Sequence, residues 1–588
     1  MKKTALSFSF CIFYILLSSV SSFSQEEIKK KPKKLTHHMT PEEMLRKDEI
    51  GKDFTPTDPP VAPVRQTAEF ERMQGVLVRY PFGIPLSLIA EMSEDVVVTT
   101  LVNGQSEENT VISQYTSAGV NLDNCSFVHT YTDSYWTRDY GPWYVVNGNY
   151  EIGIVDFPYN RPRPGDDDAP QIVADSLDVQ LYGMNLIHTG GNYMTDGMGI
   201  SASSDLVIDE NPSLSEEEIE QMVEDYLGIT TYHMVPDPNN TYIDHIDCWG
   251  KFLDVDKILI RSVPESHPQY DEIESVADYF ASQTSSYGVP YQVFRVYTPN
   301  DQPYTNSLIL NDKVLVPITG SQWDDDAIAS YEEAMPGYEV LGFTGSWEST
   351  DALHCRTRGM ADLGMLHIYH VPLLGQQPVQ DEYEITADII PYSGEDLIED
   401  SLKLYYSVNN GSYEEVLFSL VSEHTYSATI PAYAEGSELA YYIKASDMSG
   451  RTETHPFIGQ PDPHTFTIGE PLYADMEINV ESFSFTLPAG ESMEEEMIIS
   501  NVGELDLNYS VSSSVTDTED FNYDIENSPE PSAYDDNTYT ELGWTEFEVS
   551  EEGEIGNFSV TFDWESDNWP EEGSFHAESP DGTTCLIG

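Results

Sequence analysis

The chain has 588 residues, with 103 acidic side chains against 26 basic ones and a formal charge of −77. That is more than one ordinary domain of roughly 150 residues holds. So acidic a surface repels nucleic acid and anionic membranes and draws cations toward it.

Lys2 and Lys3, an apolar run from Ala5 to Leu17 and the small residues up to Ser24 form a secretory signal pattern over residues 1–24. We therefore expect a secreted, extracellular protein. No later run is apolar for long enough to span a bilayer. Residues 25–65, with the basic tract Lys29–Lys34, are charged, Pro-rich and without a period, and read as a linker or pro-region.

Residues 66–375 alternate strand and helix patterns, an α/β block large enough for an enzyme. Strands are expected at Gly75–Tyr80, Val96–Val102, Ser126–Tyr131, Lys257–Ser262, Lys313–Ile318 and Gly364–Val371. The clearest helix is Ser213–Leu227. Ser215 and Glu218 spell a capping box, and Ile219, Met222, Val223, Tyr226 and Leu227 fall on one face. Tyr270–Ala281 repeats that pattern.

After Pro378 come short alternating runs such as Leu402–Tyr406 and Ala440–Ala445, with a turn at Asn410-Gly411. Residues 378–468 read as an immunoglobulin-like β-sandwich and 474–514 as a further β-sandwich module. A linker and a partial all-β module fill 515–588, and the abrupt stop suits a piece of a longer chain.

Five cysteines are scattered: Cys11 inside the signal, then Cys125, Cys248, Cys355 and Cys585. They form neither a disulfide framework nor a zinc pattern. An unpaired thiol in an exported chain is a candidate reactive group.

Four segments hold the unusual residues: Trp136–Pro142, Tyr242–Asp247, Tyr304–Ser307 and Ala352–Thr357. They carry two Asp, one His and one Cys, which are the parts needed to attack a guanidinium. Paired carboxylates grip the planar cation, a thiolate adds to its carbon, and an imidazole moves protons to and from the leaving ammonia. His245 and Asp247 would share one face of a strand. Each signal alone has a plainer reading: a structural His–Asp hydrogen bond, a packed core thiol, a helix-capping Asp139. Trp136 reads as packing against a substrate stem or against the core, and Arg138 as a buried ion-pair partner.

WTRD at Trp136–Asp139, HTGGNYMTDG at His188–Gly197, DHIDCWGK at Asp244–Lys251, YTNSLILND at Tyr304–Asp312 and ALHC at Ala352–Cys355 occur in that order. Over about residues 66–375 the chain thereby resembles the bacterial-type peptidylarginine deiminases and the agmatine deiminases of the guanidino-group-modifying superfamily. The resemblance implies an α/β fold: a five-bladed, pseudo-symmetric ββαβ propeller ahead of the β-sandwich domains. It implies Cys355 as nucleophile, His245 as general acid and base, Asp139 and Asp247 as guanidinium-binding carboxylates, and Asn306 as a site amide. Asp196 and Tyr242 match substrate contacts, and Cys248 is taken as structural, its side chain pointing away from that of Asp247. Arg161 and Arg163 match a pair that binds the α-carboxylate of a C-terminal arginine; the plainer reading is a surface pair balancing Asp166–Asp168.

The expectation is a secreted deiminase converting arginine of peptides or proteins, preferentially C-terminal, to citrulline and ammonia through a covalent thiouronium. The alternatives are agmatine deimination in putrescine biosynthesis, a cysteine peptidase, and a surface adhesin with an inactive block. No metal or organic cofactor is expected, and attachment at the cell surface stays open. Asp166–Asp168 and Asp324–Asp326 lack EF-hand spacing, so caps or solvated runs are preferred over structural calcium.

Overall fold

A computed structural model describes residues 35–469 and the short stretches 476–478, 494–501, 510–515, 558–561, 573–578 and 584–587. The signal pattern, the basic tract, the linker after residue 515 and most of the expected second β module lie outside the described residues.

Between residues 65 and 361 the backbone repeats one theme five times. An antiparallel strand pair is followed by helix and then by a strand parallel to the second of the pair. Met194–Thr195, Ile200–Ser204 and Thr231–Val235 form one such sheet. Gly250–Asp254, Lys257–Ser262 and Gln292–Tyr297 form the next, and Leu308–Leu310, Lys313–Ile318 and Glu339–Thr344 another. Trp143–Val146, Ile152–Asp156 and Leu181–Gly183 repeat the order with Arg65–Gln66 added at the edge. The fifth sheet joins the ends of the block: Arg358–Ala361 pairs antiparallel with Met73–Arg79, and Val97–Val102 and Cys125–His129 follow in parallel.

The helices cover these sheets with the faces their sequences predict. Glu216–Leu227 starts at the Ser215–Glu218 capping box, ends at a left-handed Gly228, and buries Ile219, Val223 and Leu227. Tyr270–Ser282 buries Ile273, Val276, Ala277 and Phe280. The Asp324–Asp326 run forms the first turn of the helix Asp324–Ala334 and does not lie ahead of it as a cap. The Asp324 carboxylate accepts hydrogen bonds from the Tyr304 hydroxyl and the Gly320 backbone N–H, which gives it a structural task. Asp166 likewise accepts from the backbone of Asp133 and Ser134.

Residues 366–468 form a β-rich unit of two sheets sharing one apolar core, with Tyr383, Ile385, Leu404, Tyr441, Ile443 and Phe466 inside it. The tight turn falls one residue earlier than expected, at Asn409-Asn410: both adopt positive φ, and the Gly411 N–H bonds the Val408 carbonyl. The strand expected at Gly364–Val371 forms as Leu366–Tyr369, but it pairs with Glu382–Pro391 of this unit and not with the α/β block. The two parts are joined by ion pairs of Arg72 with Glu453, Arg451 with Asp362 and Lys257 with Asp462.

Residues 35–49, part of the stretch that reads as a linker or pro-region, form a helical turn at Pro41–Met44 and a 3₁₀ turn at Lys47–Glu49. His37 and Glu43 of this segment are buried against the α/β block.

Candidate active site

Each repeat delivers candidate site residues from the segment just ahead of its first strand. Trp136 to Asp139 precede Trp143–Val146, Gly190 to Asn192 precede Met194–Thr195, and His245 to Cys248 precede Gly250–Asp254. Asn306 precedes Leu308–Leu310, and Cys355 precedes Arg358–Ala361. These five segments converge, so residues more than 200 positions apart line one buried site.

Cys355, His245, Asp139, Asp247 and Asn306 are all brought together and buried. Asn306 Nδ2 donates to Cys355 Sγ at 3.2 Å, and its Oδ1 accepts the backbone N–H groups of His354 and Cys355. Cys355 Sγ lies 3.7 Å from Asp247 Oδ2, and His245 Nδ1 lies 3.8 Å from Asp139 Oδ1. Asp139 Oδ1 and both His245 nitrogens have no hydrogen-bond partner among the described residues. Buried polar groups are rarely left so. Gly191 makes the approach possible. A Cβ there would stand 2.6 Å from His245 Nδ1 and 2.7 Å from Asp139 Oδ1.

His245 and Asp247 do not share a strand face. They sit in a 3₁₀ turn, Ile246–Cys248, capped by His245. Cys248 Sγ is 3.6 Å from Asp247 Oδ1, so its side chain lies toward that carboxylate and not away from it. Asp196 is not brought to the site. Its carboxylate accepts the backbone N–H groups of Met198 and Ile200 and the Ser286 hydroxyl, holding the loop before Ile200–Ser204. Tyr242 lies at the rim, mostly exposed, with its hydroxyl 2.9 Å from Thr350 Oγ1.

Residues the sequence reading passed over form a layer behind the carboxylates. His354 Nδ1 is 2.7 Å from Asp247 Oδ2, and its Nε2 is 2.6 Å from Glu69 Oε2. Glu69 also pairs with Arg138 and Lys251. With a carboxylate at each nitrogen, the His354 ring donates twice and bridges Asp247 to Glu69 as a cation. Burial pushes the Asp247 carboxyl up, but the His354 hydrogen bond and charge outweigh it and hold it below its ordinary value. Burial also acts against Asp139, where nearby His37 and His245 win and the carboxyl again ends below its ordinary value. Two ionised carboxylates therefore lie beside Cys355 and His245.

The other two groups move the opposite way. Burial pulls His245 down to about 4 despite Asp139 and Asp247, so the ring is neutral near pH 7. Burial and the charges of Asp247, Asp139 and Asp351 push the Cys355 thiol well above its ordinary value. The site thus holds a protonated thiol, a neutral imidazole and two anions. A cation entering between them would cancel the charge that keeps the thiol protonated.

Arg161 and Arg163 are buried and are not a surface pair. Arg163 Nε donates to Glu43 Oε1 at 2.8 Å, and its guanidinium lies 5.1 Å from the Trp136 ring. Arg161 Nε instead donates to the backbone carbonyl of His37 at 3.3 Å. One arginine holds a carboxylate, then, rather than both together. Trp136 stacks on the His37 ring at 4.7 Å and 14°.

The Porphyromonas-type peptidyl-arginine deiminase family model matches residues 66–360. A Yersinia pseudotuberculosis protein with the provisional name agmatine deiminase is 26% identical over 261 residues, 37% of this chain and 72% of that one. A Medicago truncatula agmatine deiminase is 23% identical over 294 residues, 40% of this chain and 78% of that one. Among solved structures, an Enterococcus faecalis agmatine deiminase matches with 20% identity and a TM-score of 0.45, covering 50% of this chain and 95% of that one.

Proposed function

Since the chain belongs to the Porphyromonas-type peptidyl-arginine deiminase family, whose members hydrolyse C–N bonds of guanidines, we propose that it converts arginine bearing a free α-carboxylate to citrulline and ammonia. Asp139 and Asp247 grip the guanidinium, and Asn306 orients the sulfur. Cys355 sulfur adds to the guanidinium carbon once the bound cation has favoured the thiolate. The carbon–nitrogen bond then breaks, and the former thiol proton, carried by His245, leaves on ammonia. A thiouronium remains. Water gives a proton to His245 and adds to the same carbon, the carbon–sulfur bond breaks, and a ureido group and the free thiol result.

The observation that supports a carboxylate-bearing substrate is Arg163, which already holds a carboxylate beside Trp136. The second reading is agmatine, which has no carboxylate. The names of the relatives favour it over peptidyl-arginine, and the catalytic set would serve it equally. Five ββαβ units closing as propeller blades around this site, an immunoglobulin-like character for residues 378–468 and export of the chain complete the proposal.

Comparing ureido formation from a peptide ending in arginine, its C-terminal amide, a peptide with internal arginine, and agmatine tests this. The carboxylate reading predicts preference for the first, and a loss in Arg163→Ala confined to KM for that substrate. Agmatine turnover unaffected by Arg163→Ala, with no peptide product, would favour the second reading.

A further inference from the structure

We propose that residues 35–49 are an internal ligand of the active site, with His37 standing where a guanidinium binds and Glu43 where a carboxylate binds, so the site is closed until this segment leaves. The Glu43 half rests on the carboxylate-substrate reading above; the His37 half does not.

His37 Nε2 lies 2.6 Å from Asp139 Oδ2, and Nδ1 lies 3.1 Å from the backbone carbonyl of Thr350. Both partners only accept hydrogen bonds, so the ring donates from both nitrogens. A doubly protonated imidazole is a planar, delocalised cation, the same kind of object as a guanidinium. One His37 nitrogen is within 4.8 Å of Cys355 Sγ and of an Asp351 oxygen, and the ring meets His245 edge-on at 5.7 Å. The imidazole therefore fills the space between the carboxylate, the thiol and the general base.

The second anchor is built into the local sequence. Thr40-Pro41-Glu42-Glu43 starts a helical turn with a capping box, in which the Thr40 hydroxyl accepts from the Glu43 N–H and the Glu43 carboxylate accepts from the Thr40 N–H at 2.7 Å. That same carboxylate receives Arg163. Arg163 also donates to the Thr36 carbonyl and Arg161 to that of His37, so both arginines are engaged by this segment.

The segment's burial is inverted relative to a core element. His37 and Glu43 are 4% and 6% exposed, whereas Met44 and Leu45 are 54% and 84% exposed. Polar mimicry and not apolar burial holds it in place, a pattern suited to release. The exposed stretch Leu45–Glu49 precedes the point where Thr57 N–H bonds the Gly183 carbonyl, so a cut there would free residues 35–49 and leave the first sheet strands intact.

Chloroacetamidine, a small planar cation without a carboxylate, tests the closure directly. The Cys355 sulfur displaces chloride, a carbon–sulfur bond forms, and the thiol proton passes to His245 and then to solvent. In the full chain carrying His37→Ala and Glu43→Ala, peptide mapping should find Cys355 alkylated at least about tenfold faster than in the unaltered chain. A synthetic peptide of residues 35–49 should restore the slow rate. Equal alkylation in both chains would overturn the proposal. Faster alkylation without ureido product from an arginine-ended peptide or agmatine would leave the closure standing and remove the proposed function instead.

Discussion

Chemistry here turns on how a few side chains hold one another's charge. Glu69 satisfies three cations at once, His354, Arg138 and Lys251, and through His354 it fixes Asp247. Glu69→Gln leaves those cations short of a counter-charge in a largely buried place. We expect a loss of about 3 kcal/mol or more in denaturant unfolding, since breaking a buried pair from one side strands its partner. Unchanged stability would show the network to be incidental. Gly191→Ala should abolish turnover, because the added methyl collides with both His245 and Asp139. The raised Cys355 thiol makes a prediction about pH. Its alkylation by neutral iodoacetamide, measured in the chain carrying His37→Ala and Glu43→Ala, should stay slow at neutral pH and still be climbing above the ordinary thiol range. A plateau near pH 7 would mean the thiolate exists without a bound cation. Of these residues, Cys355, His245, Asp139, Asp247 and Asn306 were legible because their motifs stand in one order along the chain. Glu69 was not, since a lone glutamate gives no local signal of the cations that folding brings to it. His37 was hidden in a segment whose composition resembles a linker.

Among elements, the segments leading into the first strand of each repeat carry the site. Their short helical turns place side chains that a strand would have alternated. The His-x-Asp spacing therefore suggested a strand, while the backbone turns at Ile246–Cys248 and sends both side chains into the site by another route. Long helices were read well, because capping boxes and one-sided apolar faces are local properties. The Gly364–Val371 pattern specifies a strand but not its sheet, since the partner Glu382–Pro391 is chosen by tertiary packing. Removing residues 376–469 should therefore destabilise the α/β block, by taking away that partner and the Glu453, Asp462 and Arg451 ends of three ion pairs. A thermal midpoint unchanged by this truncation would contradict that coupling.

For the whole molecule, acidity sets the response to pH. Burial, with a nearby acid in the first and last cases, raises Asp156 to about 8, Glu210 to about 7 and Asp254 to about 7. Such groups favour the folded state while protonated, and that advantage is lost as pH rises from the ordinary carboxylate value through these raised ones. Glu69, Asp139 and Asp247 are lowered, and their contribution disappears as pH falls below the ordinary value. Self-repulsion among 103 acidic side chains acts in the first direction as well. The thermal midpoint should therefore be higher at about pH 5.5 than at about pH 8; the reverse order would refute the assignment. Surface charge was plain in the composition, but which acids are buried was not, since that depends on the fold.

The central claim is that Cys355 attacks a guanidinium gripped by Asp139 and Asp247. Ammonia and ureido product should be measured together from an arginine-ended peptide and from agmatine, using the chain opened by His37→Ala and Glu43→Ala, with and without Cys355→Ala. Equimolar ammonia and ureido product are expected from at least one substrate, and none in the Cys355→Ala chain. Product that survives the loss of Cys355 would contradict it.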